Sequence, residues 1–342
     1  MKKTAFITGA SGQDGVYLTN FLCKLGYKVI CGVRRSSADN LSNLLNFNNG
    51  LDFKIEYIDV TDVFSLNNIF EKYEIDELYN LAAMSHVGIS FSQPVSTLLV
   101  DGLGSLNCLE ICKKYNTKFY QASTSELFGK SKSKIMNEET LFEPVSPYSI
   151  AKDYAYKITE LYRNAYSLYA TNGILFNHES KFRPKNFVTR KITYGVSQII
   201  KGNDNMLHLG NLSSIRDWGH SLDYVKAMHL ILQQDKPSDY IVSTGVICSV
   251  REFLKKVWEF FGYSVNFENS GLNEELRIVS SPKDKKNLDG KIVCKVSEKF
   301  FRPMDVPYLK GDSSKIRKIG WKPEIGLDQL IEEMCTFDFY EN

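Results

Sequence analysis

What this sequence has little of narrows its role first. It has no excess of charge of one sign: 42 basic residues against 40 acidic ones leave a formal net charge of +2, so neither nucleic acid nor a membrane surface is an expected partner. No apolar stretch reads as long enough to cross a bilayer, and the opening "MKKTAFITGASG" meets glycines and Asp14 too soon to build a signal peptide. There is no CxxC pair. Cys23, Cys31, Cys108, Cys112, Cys248, Cys294 and Cys335 are an odd, unpatterned set, which points to reduced thiols in a cytoplasm and to no metal centre. Internal repeats and low-complexity tracts are missing too. What remains is a 342-residue chain, 43% hydrophobic and 24% charged, ordinary for a soluble globular protein of one or two domains with a small-molecule partner.

Short apolar runs recur along the first half: "TAFITG", "KVICGV", "FKIEYI", "ELYNLAA", "KFYQAS" and "NGILFN". Helix-length amphipathic stretches separate most of them, which predicts an α/β protein with a parallel sheet covered on both faces. The runs do not alternate polar with apolar, as suits strands buried on both sides. Beyond about residue 177 the pattern loosens into loops and a mixed region. "YIVSTG" at 240 to 245 and the amphipathic "VREFLKKVWEFFGY" after it read as one more strand and helix returning to the main sheet.

The first run ends in "TGASGQDG", with Gly9, Gly12 and Gly15 around Gln13 and Asp14 and a helix beginning near Val16. Glycines there allow a tight turn and let backbone amides approach a pyrophosphate held by the positive end of the helix. The second run ends in "VRRSS", and Arg34, Arg35 and Ser37 offer cations and a hydroxyl where an NAD site places an acid, so NADP is favoured. Asp59, with Val60 beside it, follows the third run and is expected at the adenine; Leu81, Ala83 and Ser85 in "LAAMS" are expected under the nicotinamide half. Tyr148 and Lys152 are the only Tyr-x-x-x-Lys pair among 19 tyrosines. That spacing puts both on one helix face, where an ammonium lowers the phenol pKa and reaches the cofactor ribose. Hydride chemistry on a secondary alcohol follows, with Thr124 holding the substrate oxygen. Glu126 is surplus to such an oxidation. Once a sugar C4 hydroxyl has become a ketone, however, the C5 hydrogen is acidic, and a carboxylate at this strand end can remove it while the C6 hydroxyl leaves as water.

With "TGASGQDG", "RRSS", "ASTSELFG", "SPYSIAK", "NGILFNHES", "NFVTRKI", "RDWGH" and "RPMDV" in order, the chain resembles the GDP-mannose 4,6-dehydratases, extended short-chain dehydrogenases/reductases, over nearly its whole length. The resemblance implies a Rossmann-type doubly wound sheet with a smaller, mixed substrate-binding domain: residues 1–176 with 216–263 returning, against 177–215 and 264–342. It implies a closed redox cycle in which Tyr148 takes the C4 hydroxyl proton, Thr124 binds the C4 oxygen, Lys152 orients NADP and tunes Tyr148, and Glu126 drives the loss of water. It assigns His178 and Arg183 to the cofactor, and Ser85, Asn177, Asn186, Lys191, Arg216 and Arg302 to the GDP-sugar. Asp305 stands where the family carries Glu, as an acceptor for the two donors on the guanine edge. Met84 and Gly88 depart from the family's Gln and Lys; if they lie by the hexose, the lost side chain admits a 2-acetamido or longer substituent. The resemblance also implies a homodimer or homotetramer and a product used in surface glycan assembly. An epimerase of the same fold, or a non-catalytic NADP-binding regulatory protein, stays open at this point.

Overall fold

Each apolar run becomes a strand of one sheet. In the computed structural model, which describes residues 2–301 and 303–341, these are β1 (Thr4–Thr8), β2 (Lys28–Val33), β3 (Phe53–Tyr57), β4 (Glu77–Asn80), β5 (Lys118–Thr124) and β6 (Ala170–Leu175), joined from far along the chain by β10 (Tyr240–Val242). All seven are parallel, in the order β10-β6-β5-β4-β1-β2-β3. The strands are apolar throughout because both faces are covered. Ala5 and Ile7 of β1 meet Leu18 and Leu22 of the helix Gln13–Lys24 and Val225 and Met228 of Ser221–Leu232. Phe6, between them, points the other way into a core shared with Leu66 and Phe70 of Val63–Lys72 and with Cys108 and Leu109 of Gly104–Tyr115. This is the Rossmann-type doubly wound architecture, and strand order reverses between β1 and β4, where such sheets open a crevice at their carboxyl ends.

The remaining chain builds two smaller sheets. β7 (Asn177–Glu179), β9 (Ile215–His220) and β11 (Ile247–Ser249) lie in the order β11-β9-β7. β8 (Leu207–Leu209), β12 (Ser264–Glu268), β13 (Glu275–Ser280) and β14 (Ile292–Val296) lie in the order β12-β13-β14-β8, antiparallel except for the β14–β8 pair. They share a core with the helices Val188–Lys201 and Val250–Phe260.

Two features differ from the sequence reading. "YIVSTG" does supply the edge strand β10, but Val250–Phe260 packs Phe253, Leu254, Val257 and Trp258 into the second core, not on the main sheet. β11 intervenes, pairs antiparallel with β9 and turns the chain away before Ser249 and Glu252 cap the helix. The helix that does cover the sheet is Ser221–Leu232, one element earlier. Secondly, Pro94–Tyr115 is a 22-residue helical stretch long and apolar enough by composition to cross a bilayer, contrary to the expectation that none is. Half of its apolar window is buried, and Cys108, Leu109, Ile111 and Cys112 pack on the sheet, so the apolar composition serves the core. A π-helical turn, Leu98–Leu103, interrupts this stretch and carries the fully buried Asp101.

The C-terminal turn Phe337–Glu341 is held by a buried ion pair. Arg190 Nε donates to Asp338 Oδ1 at 2.7 Å, Thr193 donates to Oδ2 at 2.6 Å, and Asp338 has no exposed surface. Arg190→Met would strand that carboxylate in the interior, and a loss of about 3–5 kcal/mol in urea unfolding is expected. Arg190→Met with Asp338→Leu should recover much of the loss in the same measurement, because no charge is then left buried.

Candidate active site

Apart from Arg35 and Ser37, and from Arg302, which lies outside the described residues, every site residue named from the sequence lines a single cleft of about 1060 Å³ between the sheet's carboxyl edge and the smaller sheets. One end of it is a cradle for a dinucleotide. Gly9 has φ +69°, and a Cβ there would stand 2.8 Å from the Ala82 amide nitrogen; a Cβ on Gly15 would fall 2.5 Å from the Ala10 backbone. Only glycine lets the loop lie that close to β4 and to its own turn. Gly12 caps the helix Gln13–Lys24 without any side-chain hydrogen bond, so the first-turn amides face the cleft for an anion to meet. These residues fit a pyrophosphate. At the β2 end Arg34 lines the cleft and no acid does, while Arg35 and Ser37 sit exposed on the same loop, which Asn40 ties down by donating to the Arg34 carbonyl at 3.1 Å. Asp59 also faces the cleft, its carboxylate accepting from the amide and hydroxyl of Thr61.

The residues expected to react come from two abrupt chain transitions. β5 ends at Thr124, whose hydroxyl accepts from the Glu126 amide at 3.2 Å and so starts the turn Ser125–Phe128. Glu126 is 8% exposed, a buried acid facing the cleft and not a solvated strand end. The helix Pro147–Tyr166 begins with Ser146 and Ser149 capping each other's backbone amides at 3.0 and 2.9 Å, with Pro147 at the first position. That stop places Tyr148 at the cleft and Lys152 one turn deeper. Burial pushes the Tyr148 phenol well above its ordinary pKa; the charges of Asp101 and Glu126 add to this, and a hydrogen bond with Thr124 and the Arg183 charge oppose it. Burial likewise lowers Lys152, with Asp101 opposing, and the ammonium donates to the Ala122 carbonyl at 3.0 Å.

Asp14 and His178 line the cleft but bind each other. His178 Nε2 donates to Asp14 Oδ2 at 2.8 Å, Nδ1 donates to the Phe176 carbonyl at 2.7 Å, and the ring stacks on Tyr224. Burial disfavours both charges, yet each outweighs that penalty on the other: the His178 pKa is raised, and Asp14, also hydrogen-bonded by Ser221, is lowered. Arg183 is 3.0 Å from Glu179 and stacks on Phe187.

At the far end Lys191 lies 3.2 Å from the centre of the Phe300 ring, and burial brings its pKa down to about 8. Among the described residues it has no carboxylate at ion-pair distance, which leaves a cation for a diphosphate. Asn186 lines the same stretch, and the Asn177 amide oxygen is buried without a hydrogen-bond partner among the described residues. Arg216 stands 3.7 Å from Asp305, and Asp305 also accepts from Ser214 at 3.1 Å, so Asp217 is not the partner of Arg216; it accepts from Thr244 and Gly245 instead. Gly88 faces the cleft, and a Cβ there meets only the His86 ring, at 3.2 Å. Sequence reading missed Asn40, Lys185, Asn211 and Lys299 in the lining, which lack a motif, and Asp101 behind it, whose one signal is an acid set among leucines.

The Asp14–His178 pair makes stability depend on pH. The raised histidine contributes fully below its unfolded pKa and loses its effect as pH rises through the folded one; the lowered aspartate contributes above its unfolded pKa and loses its effect as pH falls. The advantage of the wild type over His178→Asn in thermal melts should therefore be greatest from about pH 4 to about pH 6.5 and shrink on either side. A difference that stays constant across pH would show that the pair is not charged.

The sequence model of the family described as GDP-mannose 4,6 dehydratase matches residues 6–334. The chain is 44% identical to the GDP-mannose 4,6-dehydratase of Vibrio cholerae over 98% of this chain and 94% of that one. It is 43% identical to the GDP-mannose 4,6 dehydratase of Homo sapiens, over 98% and 91%. In fold it is similar to the UDP-glucose 4-epimerase of Thermotoga maritima with UDP-glucose (TM-score 0.80, 22% identity, 99% and 98% covered). It is likewise similar to the dTDP-glucose 4,6-dehydratase of Bacillus anthracis in complex with NAD (TM-score 0.79, 19% identity, 99% and 97% covered). At that identity and coverage by its relatives, the chain belongs to the GDP-mannose 4,6-dehydratase family, nucleotide-sugar hydro-lyases on the extended short-chain dehydrogenase/reductase fold.

Proposed function

We propose that this chain is an NADP-dependent GDP-hexose 4,6-dehydratase, which turns GDP-mannose or a variant of it into the GDP-4-keto-6-deoxy sugar and water. The observation that carries the reading is Glu126, a buried carboxylate two residues past Thr124 whose charge reaches the Tyr148 phenol. The loop of Gly9, Gly12 and Gly15 with Arg34 would hold NADP, and the chemistry it would supply is reversible hydride storage, from C4 and back to C6. The chain's own work is then proton handling. Thr124 holds the C4 oxygen, Tyr148 takes its proton, and Lys152 supplies the positive charge that makes the phenol acidic enough to do so. Glu126 removes the C5 hydrogen, acidified by the new ketone, and passes it to the departing C6 hydroxyl; as hydride returns at C6, the proton held by Tyr148 goes to C5. No net oxidation results.

A nicotinamide dinucleotide is supported by the glycine cradle and by fold neighbours complexed with NAD or, for RMD of Pseudomonas aeruginosa, with NADPH. The preference for NADP rests on Arg34 and on the lack of an acid at the β2 end. Lys191 and Arg216 suit the diphosphate, and Asp305 suits the guanine edge. The missing side chain at Gly88, which faces the cleft, is what favours a sugar with a 2-acetamido group, as in GDP-N-acetylglucosamine, or a longer side chain. Seven unpaired cysteines, six of them buried, accord with a reducing cytoplasm. Leu98, Leu99 and Leu103 on one helix, beside Ile150, Tyr154 and Leu161 on the next, leave an exposed apolar face suited to a second copy of the chain, as a homodimer or homotetramer requires.

The fold likeness to an epimerase keeps that as the second reading, and Glu126 separates the two. Incubating the protein with GDP-mannose and GDP-N-acetylglucosamine and following products by NMR should show loss of the C6 hydroxyl. Glu126→Gln should lose about 10²- to 10⁴-fold in turnover while still binding NADP. Full activity in Glu126→Gln, or epimerised products, would overturn the dehydratase reading; turnover of GDP-mannose alone would dispose of the larger sugar.

A further inference from the structure

Asp101 is a buried acid for which the reaction above has no use. It sits in the π-helical turn Leu98–Leu103 with no exposed surface. Its Oδ1 accepts from the Met84 amide at 2.7 Å, and its Oδ2 is buried with no hydrogen-bond partner among the described residues. An ionised carboxylate in that state survives only near a cation. The helix Pro147–Tyr166 packs along the turn so closely that a Cβ on Gly102 would lie 3.4 Å from the Tyr154 ring and 3.9 Å from the Ala151 carbonyl, one residue before Lys152. Lys152 has no ion-pair contact among the described residues, and the charge of Asp101, beyond ion-pair distance, is what opposes its burial, acting through an interior where Coulomb attraction is strong.

We propose that Asp101 is a positioning residue of the dehydratase site: its carboxylate keeps Lys152 charged and, through the Met84 amide, holds the 81–85 segment at the cleft. This rests on Tyr148 and Lys152 acting as proposed above. Other elements against the π turn add no charge there. Pro94–Thr97 and residues 81–85 carry no titratable side chain, and the nearest ones along Gly104–Tyr115 are Cys108 and Glu110, of which Glu110 is bound to Lys113 and Tyr162. The helix Pro147–Tyr166 presents Lys152, Tyr148 and, against Gly102, the exposed Tyr154, and Tyr148 in turn meets Thr124, Glu126 and Arg183.

The signs follow from those neighbours. Without the Asp101 charge, nothing offsets the burial of Lys152, which gives up its proton at lower pH; the phenol, freed of a negative neighbour, does the same. Asp101→Asn keeps the volume and an acceptor for Met84. Its profile of kcat/KM against pH on GDP-mannose should move to lower pH on both limbs, by on the order of one unit, with little change in Tm. A profile superimposed on the wild type overturns the proposal, since a merely structural role would change Tm and leave the limbs in place. A second measurement does not depend on turnover or on Asp101→Asn folding. In Lys152→Met the buried Asp101 loses its cation, its folded pKa, already raised by burial, moves further above the unfolded one, and more stability is lost as pH rises toward it. The Tm deficit of Lys152→Met should therefore widen from acid toward neutral pH, and a deficit constant across pH refutes the coupling. A wild type inert on every GDP-sugar would sink the dehydratase reading while these melts still decide the Asp101 inference.

Discussion

A phenol and an ammonium buried together form the constraint on which the rest of this structure depends. Burial drives the Tyr148 proton on and the Lys152 proton off, so it works against the charge state that the proposed proton abstraction needs. Groups placed at close range oppose that tendency without cancelling it, and low local polarity makes each of them count for more than it would in water. Thr124 beside the phenol opposes the first shift and Asp101 behind the lysine opposes the second, while the Asp101 charge itself raises the phenol further. The fold has to hold four residues from three separate segments to a tolerance that solvent would never impose.

The architecture meets this demand by ending its elements abruptly. β5 stops at Thr124, and the turn after it is locked at Gly129, where φ is +47° and a Cβ would fall 1.8 Å from the Glu143 carbonyl oxygen. That same stretch of chain leads to Ser146 and Pro147, which start the helix bearing Tyr148. The backbone that turns Glu126 inward is thus packed against the backbone that delivers the phenol. Across the crevice, Gly9 lets β1 approach β4, and the smaller sheets close the far side with Lys191 and Arg216. The glycine cradle, the pair Glu126 and Tyr148 and the Lys191 end can share one cleft because the strand order reverses beside it.

Much of this is legible in residue order. Continuous apolar runs foretell strands covered on both faces, the glycine spacing foretells the cradle, and Glu126 stands out because a simple alcohol oxidation has no task for it. Other features resist reading for identifiable reasons. Asp14 and His178 are 164 residues apart, and nothing in either neighbourhood says that they bond to each other. Arg216 adjoins Asp217 in sequence but points toward Asp305, since alternate residues of a strand face opposite sides. Val250–Phe260 has the stripe of a sheet-covering helix, but amphipathicity does not name the surface it covers. Pro94–Tyr115 shows the reverse ambiguity, because a helix apolar enough for lipid is also apolar enough for a protein core.

By itself the sequence determined the α/β class, the order of the apolar runs that become strands, the glycine loop and which side chains are available for the proposed chemistry, because these follow from local periodicity, glycine geometry and the chemistry of single residues. Tertiary structure alone decided which charges meet. Whether Asp101 lies behind Lys152, whether Glu126 is buried and whether His178 carries a proton are set by distances between segments far apart in the chain, and electrostatic energies in a dry cleft vary with those distances far more than with residue type.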